Sequence, residues 1–266
     1  MGIISDFVRA IQSGNVTSFL LSFCISLLAL FPALILHECA HGRVAQWCGD
    51  DTAKLSGRLS LNPMAHLDLW GTLSMLFIGF GWAKPVPVNP WNFKNRRRDS
   101  IFVSLAGIIT NFLLFLFSML MCVLLAMIIV RPEASDNMFY YKAYGLTRAD
   151  VIRDYAQGMY YVNGLKHITQ AEWLHWFILY FKVFAVYNIS LAVFNFLPIP
   201  PLDGYRFWNA AVFNNRLVID QRIIFGIIVG IFVLNRATGI LDTGISAVTG
   251  FFTSGVTNLI YSIFGL

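Results

Sequence analysis

Uncharged apolar runs alternate along this chain with short polar segments, and their lengths sort them. Val16 to Leu36 is a run of 21 residues without a charge, about 30 Å as a helix and one hydrocarbon thickness. It has no A-x-A cleavage site and leads straight into His37, Glu38 and His41, so it reads as a span rather than a signal peptide. Pro32, one turn before His37, is expected to kink or loosen it. Leu69 to Ala83 is too short for a full crossing and holds Gly71, Gly79 and Gly81, which suits a re-entrant segment. The following Lys84-Pro85-Val86-Pro87-Val88-Asn89-Pro90 reads as the edge strand of a small membrane-associated β-hairpin, because alternate prolines lose their N–H groups on one side. Ile101 to Val130 is a long span. Trp173 to Pro201 is apolar but interrupted by Lys182, Asn188 and Asn195, and Ile223 to Asn235 continues as a span. Thr243 to Leu266, rich in Gly, Ser and Thr, is a possible extra crossing. The pattern predicts an all-α polytopic membrane protein with about five transmembrane helices. It forms one domain over residues 1–266, with its core at about 16–235.

Composition narrows the class. Only 12% of the residues are charged and 57% are apolar, against about 25% charged in soluble domains. Disorder, a disulfide scaffold and an ordinary soluble enzyme are excluded. The net charge of +5 is a matter of loops rather than nucleic acid: residues 42–100 hold eight basic against four acidic residues. The 131–172 stretch is balanced at five each. The positive-inside rule puts 42–100 and 204–222 in the cytoplasm and the polar 131–172 loop outside. Arg96, Arg97 and Arg98 read as a topology anchor at anionic headgroups, and the tryptophans flank the apolar runs as interfacial belts do. Cys24 and Cys122 lie inside apolar runs and read as small hydrophobes.

His37-Glu38-Cys39-Ala40-His41 is an HExxH sequence at a predicted helix end. The two histidines lie one turn apart on one face, so both imidazoles can reach one Zn²⁺. Glu38, on the adjoining face, is close enough to take a proton from a water there. With so few His and Glu in the chain, chance placement produces this pattern in about one shuffle per thousand. Ionisable groups directly after an uncharged span are expensive without partners or a metal. A third ligand is needed from another segment. Asp203, after a triple-proline break and before Gly204, is one candidate, and His66 is the rival.

These residues resemble the site-2 protease family of intramembrane zinc metalloproteases. The resemblance rests on His37 to His41 and on Asn195-Phe196-Leu197-Pro198-Ile199-Pro200-Pro201-Leu202-Asp203-Gly204, which matches N-x-x-P-x-x-P-[LM]-D-G. Asn62 to Asp68 and Gly81 to Val88 support it. The chain looks most similar to the compact bacterial branch without a PDZ or CBS domain. The resemblance implies that one Zn²⁺ per chain is held by His37, His41 and Asp203, with Glu38 as catalytic base. It also implies hydrolysis of single-span membrane substrates in a bacterial plasma membrane, towards the cytoplasm, in regulated intramembrane proteolysis.

Asn195 and Asn111 are candidate substrate-binding residues. For Asn195, holding the broken helix together is an equal reading. Asn188, on much the same face as Asn195, is read as a packing residue, and His66 as a loop cap bonded to backbone. The Pro85–Pro90 strand could pair with an extended substrate. A divalent-metal transporter is the alternative from another class, but no second His/Asp/Glu set or His-rich loop is present. A non-catalytic membrane protein that binds partners is a further alternative, and the retained ligand set argues against it.

Overall fold

A computed structural model describes residues 3–68, 70–71, 84–130, 145, 147–156, 172–217 and 219–266. The helices are α1 (Ile3–Gln12), α2 (Val16–Trp47), α3 (Thr52–Leu55), α4 (Arg96–Ile129) and α5 (Arg148–Ala156). They continue with α6 (His175–Phe196), α7 (Asp203–Ala211), α8 (Gln221–Thr238) and α9 (Ile240–Phe264). Four of them, α2, α4, α6 and α9, are long and apolar enough to cross a membrane, and α8 carries a shorter apolar stretch, Arg222–Asn235. Large side chains such as Leu28, Leu113, Val233 and Phe251 are exposed on the helices, as lipid-facing residues are. The all-α polytopic fold expected from the sequence is the fold observed.

Local chemistry sets the helix ends. Asn95 opens α4 by accepting the Arg98 N–H at 3.1 Å, and Asp99 in the first turn accepts the Asn95 N–H at 2.8 Å. Asp220 caps α8 through the Arg222 N–H at 2.7 Å. A single residue, Gly239 at φ 65°, separates α8 from α9, a conformation that a side chain would strain. The main core lies where α4 meets α6. Phe115, Val123 and Ala126 pack against Ile178, Ala185 and Ile189, and α9 adds Ile260 and Tyr261. Ala29 and Ala33 of α2 are fully buried beside Phe184; small side chains of this kind let membrane helices approach closely.

Three expectations change. The β-hairpin does not form among the described residues: 84–89 carries no strand. Three of its N–H groups are spent elsewhere, Lys84 on His66 O at 2.8 Å, Val86 on Glu38 Oε2 at 2.8 Å and Asn89 on Asp50 Oδ2 at 2.7 Å. Pro85, Pro87 and Pro90 have none to offer. Part of the 131–172 loop is the helix α5, whose Val151 and Ile152 are fully enclosed in the core. Helix α2 runs past Leu36 to Trp47 and continues through Pro32. Of the 69–83 segment expected to be re-entrant, only Trp70 and Gly71 are described, and both are helical.

Candidate metal centre

Two stripes of residues, each with a four-residue repeat, face one another. On α2 they are Ala33, His37 and His41; on α4 they are Val103, Gly107 and Asn111. The helices run antiparallel, so His41 meets Val103 and His37 meets Asn111. His41 Nδ1 donates to Val103 O at 2.7 Å. A carbonyl can only accept, so the proton is on Nδ1 and Nε2 presents a lone pair. His37 Nδ1 lies 2.6 Å from Asn111 Oδ1, which leaves its Nε2 in the same state. Gly107 sits between the two rings. A Cβ there would lie 2.5 Å from His37 Cε1 and 2.5 Å from His41 Nε2.

The third donor arrives from the far end of the sequence. Helix α6 stops at Phe196, and Leu197 is extended because Pro198, Pro200 and Pro201 cannot continue a helix. The chain turns back so tightly that a Cβ on Gly204 would sit 2.3 Å from Phe196 O. Close approach, rather than an unusual backbone dihedral, is what requires glycine here. Asp203 then becomes the first residue of α7. The other end of α7 is held by Arg97, which donates to Ala210 O at 3.3 Å and Ala211 O at 2.7 Å.

Asp203 Oδ2 lies 3.1 Å from His37 Nε2 and 2.9 Å from His41 Nε2, and the two Nε2 atoms are 3.1 Å apart. Three lone-pair atoms thus point at one spot, all three residues are buried, and Asp203 Oδ2 has no hydrogen-bond donor. Acceptors packed this way repel unless a cation sits among them. Protonating both rings instead would place two cations with their N–H groups facing in apolar surroundings. Tetrahedral zinc, with Zn–N and Zn–O of roughly 2.0–2.2 Å, separates neighbouring ligand atoms by about 3.3–3.6 Å, a few tenths of an ångström more than the spacings here. The residues fit such an ion, and the space without a Cβ at Gly107 adjoins it.

The structure therefore brings His37, His41 and Asp203 together. Glu38 is half-buried, one position around the helix, with Oε2 held by the Val86 N–H at 2.8 Å. His66 is not part of the group: its Nε2 lies 2.7 Å from Ser60 O, the backbone bond expected of a loop cap. Asn195 Nδ2 donates to Leu191 O of its own helix at 3.0 Å. Asn111 is fully buried. Gly107, Val103 and Arg97 were not singled out from the sequence for the site. The repeat 103, 107, 111, matching 33, 37, 41, was the available signal for the first two. Nothing local marks Arg97, whose partners lie more than a hundred residues away.

The sequence profile described as Peptidase family M50 matches residues 25–234. The chain is similar to a Bacillus subtilis (strain 168) protein named "Putative zinc metalloprotease YwhC", at 36% identity over 179 residues, 67% of this chain and 65% of that protein. The match therefore spans about 65% of the length of that curated relative. No solved structure matches.

Proposed function

Since the chain belongs to peptidase family M50, we propose that it is an intramembrane zinc metalloendopeptidase acting on single-span membrane proteins near the cytoplasmic face, in regulated intramembrane proteolysis. The observation that carries this reading is the convergence of two imidazole lone pairs on a buried carboxylate oxygen that has no donor. The name of the Bacillus subtilis relative supports zinc as the ion. His37, His41 and Asp203 would hold it, leaving room for water or substrate. When bound, the ion supplies Lewis acidity, which lowers the pKa of water and polarises a carbonyl.

The chain's own residues do the rest. Glu38 Oε2 is engaged by the Val86 N–H, so the proton from water is taken at Oε1 and later passed to the leaving amine. The depth of the site supports action within the bilayer. Gly107 lies nine residues beyond Arg98 in α4, about 14 Å along the helix axis. If the three arginines mark the headgroup level, the ligands lie below the lipid surface. A substrate helix must unwind first, because its carbonyls are otherwise hydrogen-bonded, and Gly, Asn or Pro near the cut would ease that step. The basic excess of 42–100 supports a cytoplasmic approach in a bacterial plasma membrane, with the 131–172 loop outside.

The test uses the purified full chain in detergent with a single-span reporter. Wild type should cleave it. Glu38→Gln should retain one zinc per chain and lose cleavage, and normal turnover by that variant would refute the reading. Zinc uptake into vesicles without cleavage would favour a transporter instead.

A further inference from the structure

The buried amides of Asn111 and Asn188 form a chain that ends on His37. Asn188 Nδ2 donates to Phe184 O at 2.8 Å. Asn111 Nδ2 donates to Asn188 Oδ1 at 2.9 Å, with Ala33 O as a second acceptor at 3.5 Å. Asn111 Oδ1 then faces His37 Nδ1 at 2.6 Å. Neither asparagine has any exposed surface.

The direction of this chain is set at its far end. Phe184 O is a backbone carbonyl and can only accept, so Asn188 must offer Nδ2 to it and Oδ1 to Asn111. Asn111 must therefore donate towards Asn188, and Ala33 O on the same side also demands a donor. That leaves Oδ1 as the only atom Asn111 can turn to His37. An oxygen there requires a proton on Nδ1, and a neutral imidazole protonated at Nδ1 carries its lone pair on Nε2. Turning either amide over would set oxygen against oxygen between fully buried groups.

We infer that Asn111 and Asn188 are positioning residues. Together they transmit the polarity of a carbonyl on α6 across α4 to α2, and so hold His37 in the tautomer and ring orientation that turn its Nε2 lone pair to the metal site. This assigns Asn111 to the metal ligand rather than to substrate. It rests on the reading of His37, His41 and Asp203 as a metal site.

The experiment measures Zn²⁺ affinity by competition with a chromophoric chelator and records the visible spectrum of the Co²⁺-loaded protein. It uses the full chain in detergent, as wild type, Asn111→Leu, Asn111→Asp and Asn188→Leu. Leucine keeps the volume and removes the acceptor. Aspartate keeps an acceptor for the His37 Nδ1–H and, protonated in this buried position, offers an O–H to Asn188 Oδ1 in place of the amide Nδ2. Asn111→Leu is expected to weaken Zn²⁺ binding by roughly 10- to 100-fold and to alter the Co²⁺ bands. Asn111→Asp should recover most of the affinity, and Asn188→Leu should fall between. A packing role predicts the opposite order at 111, because a buried carboxylate disturbs packing more than leucine does. Wild-type affinity and spectrum in a folded Asn111→Leu protein would overturn the proposal. If that variant does not fold, loss of binding in a folded Asn111→Asp protein would overturn it instead. A wild-type chain that binds neither Zn²⁺ nor Co²⁺ stoichiometrically would fail earlier, at the metal site itself.

Discussion

Replacing Gly107 by alanine adds one methyl group at the point where α4 passes the two imidazoles. The new Cβ would lie 2.5 Å from His41 Nε2, 2.5 Å from His37 Cε1 and 2.6 Å from His37 Nδ1, whereas ordinary contact begins near 3.4 Å. Something must therefore move by about 0.9 Å, several times the tolerance of about 0.2 Å on metal–ligand distances. The rings cannot yield cheaply, because Val103 O and Asn111 Oδ1 hold their Nδ1 atoms at 2.7 and 2.6 Å. The backbone of α4 cannot yield either without disturbing its packing on α6. Overpacking of this kind costs about 1–3 kcal/mol. Taken from metal binding, that is a loss of roughly 5- to 150-fold in Zn²⁺ affinity. The assay is chelator competition on the purified protein, with Gly226→Ala as control, since a Cβ at Gly226 meets nothing within 4 Å. Gly107→Ala should bind zinc more weakly while Gly226→Ala matches wild type. Equal affinity in all three proteins would show that α4 does not press on the ligands, and the description of the centre would be wrong.

Two further outcomes follow from the surroundings of the site. Arg97→Met removes the donors to Ala210 O and Ala211 O, a partly exposed clasp worth about 1 kcal/mol. Amide exchange within Asp203–Ala211 should then speed up about fivefold, and unchanged exchange would mean that the clasp does not hold α7. Around Asp50, burial opposes the charged carboxylate, but hydrogen bonds from Thr52, Asn89 and Asn92 outweigh it and hold the carboxyl below its usual range. A folded value below the unfolded one, about 3.9, means that this stabilisation is complete above that pH and is lost as pH falls through the folded value. Asp50→Asn should therefore flatten the acid side of the melting curve below about pH 4, and parallel curves for both proteins would refute the assignment.

Periodicity and charge carried the reading of this chain a long way. Uncharged runs of bilayer length can only become helices in lipid, because no other single segment satisfies its own backbone there. The helical class and most of the crossings were thus legible residue by residue. So was the pairing of His37 with His41, since one helical turn brings i and i+4 together whatever surrounds them. The triple-proline break before Asp203 was equally local. What the sequence did not reveal depends on which surfaces meet. Among the described residues the expected β-hairpin is absent, because Val86, Asn89 and Lys84 give their N–H groups to Glu38, Asp50 and His66, partners that only the fold brings within reach. A polar loop turned out to contain a core helix, because Val151 and Ile152 find apolar cover on α4 and α6. Direction separates Asp203 from His66 in the structure: one points its oxygen at two lone pairs, the other turns to Ser60 O. A sequence specifies which groups can bind an ion, because that is a matter of atoms. Whether they share one depends on distances of a few ångströms between segments far apart in the chain, and those are set by packing.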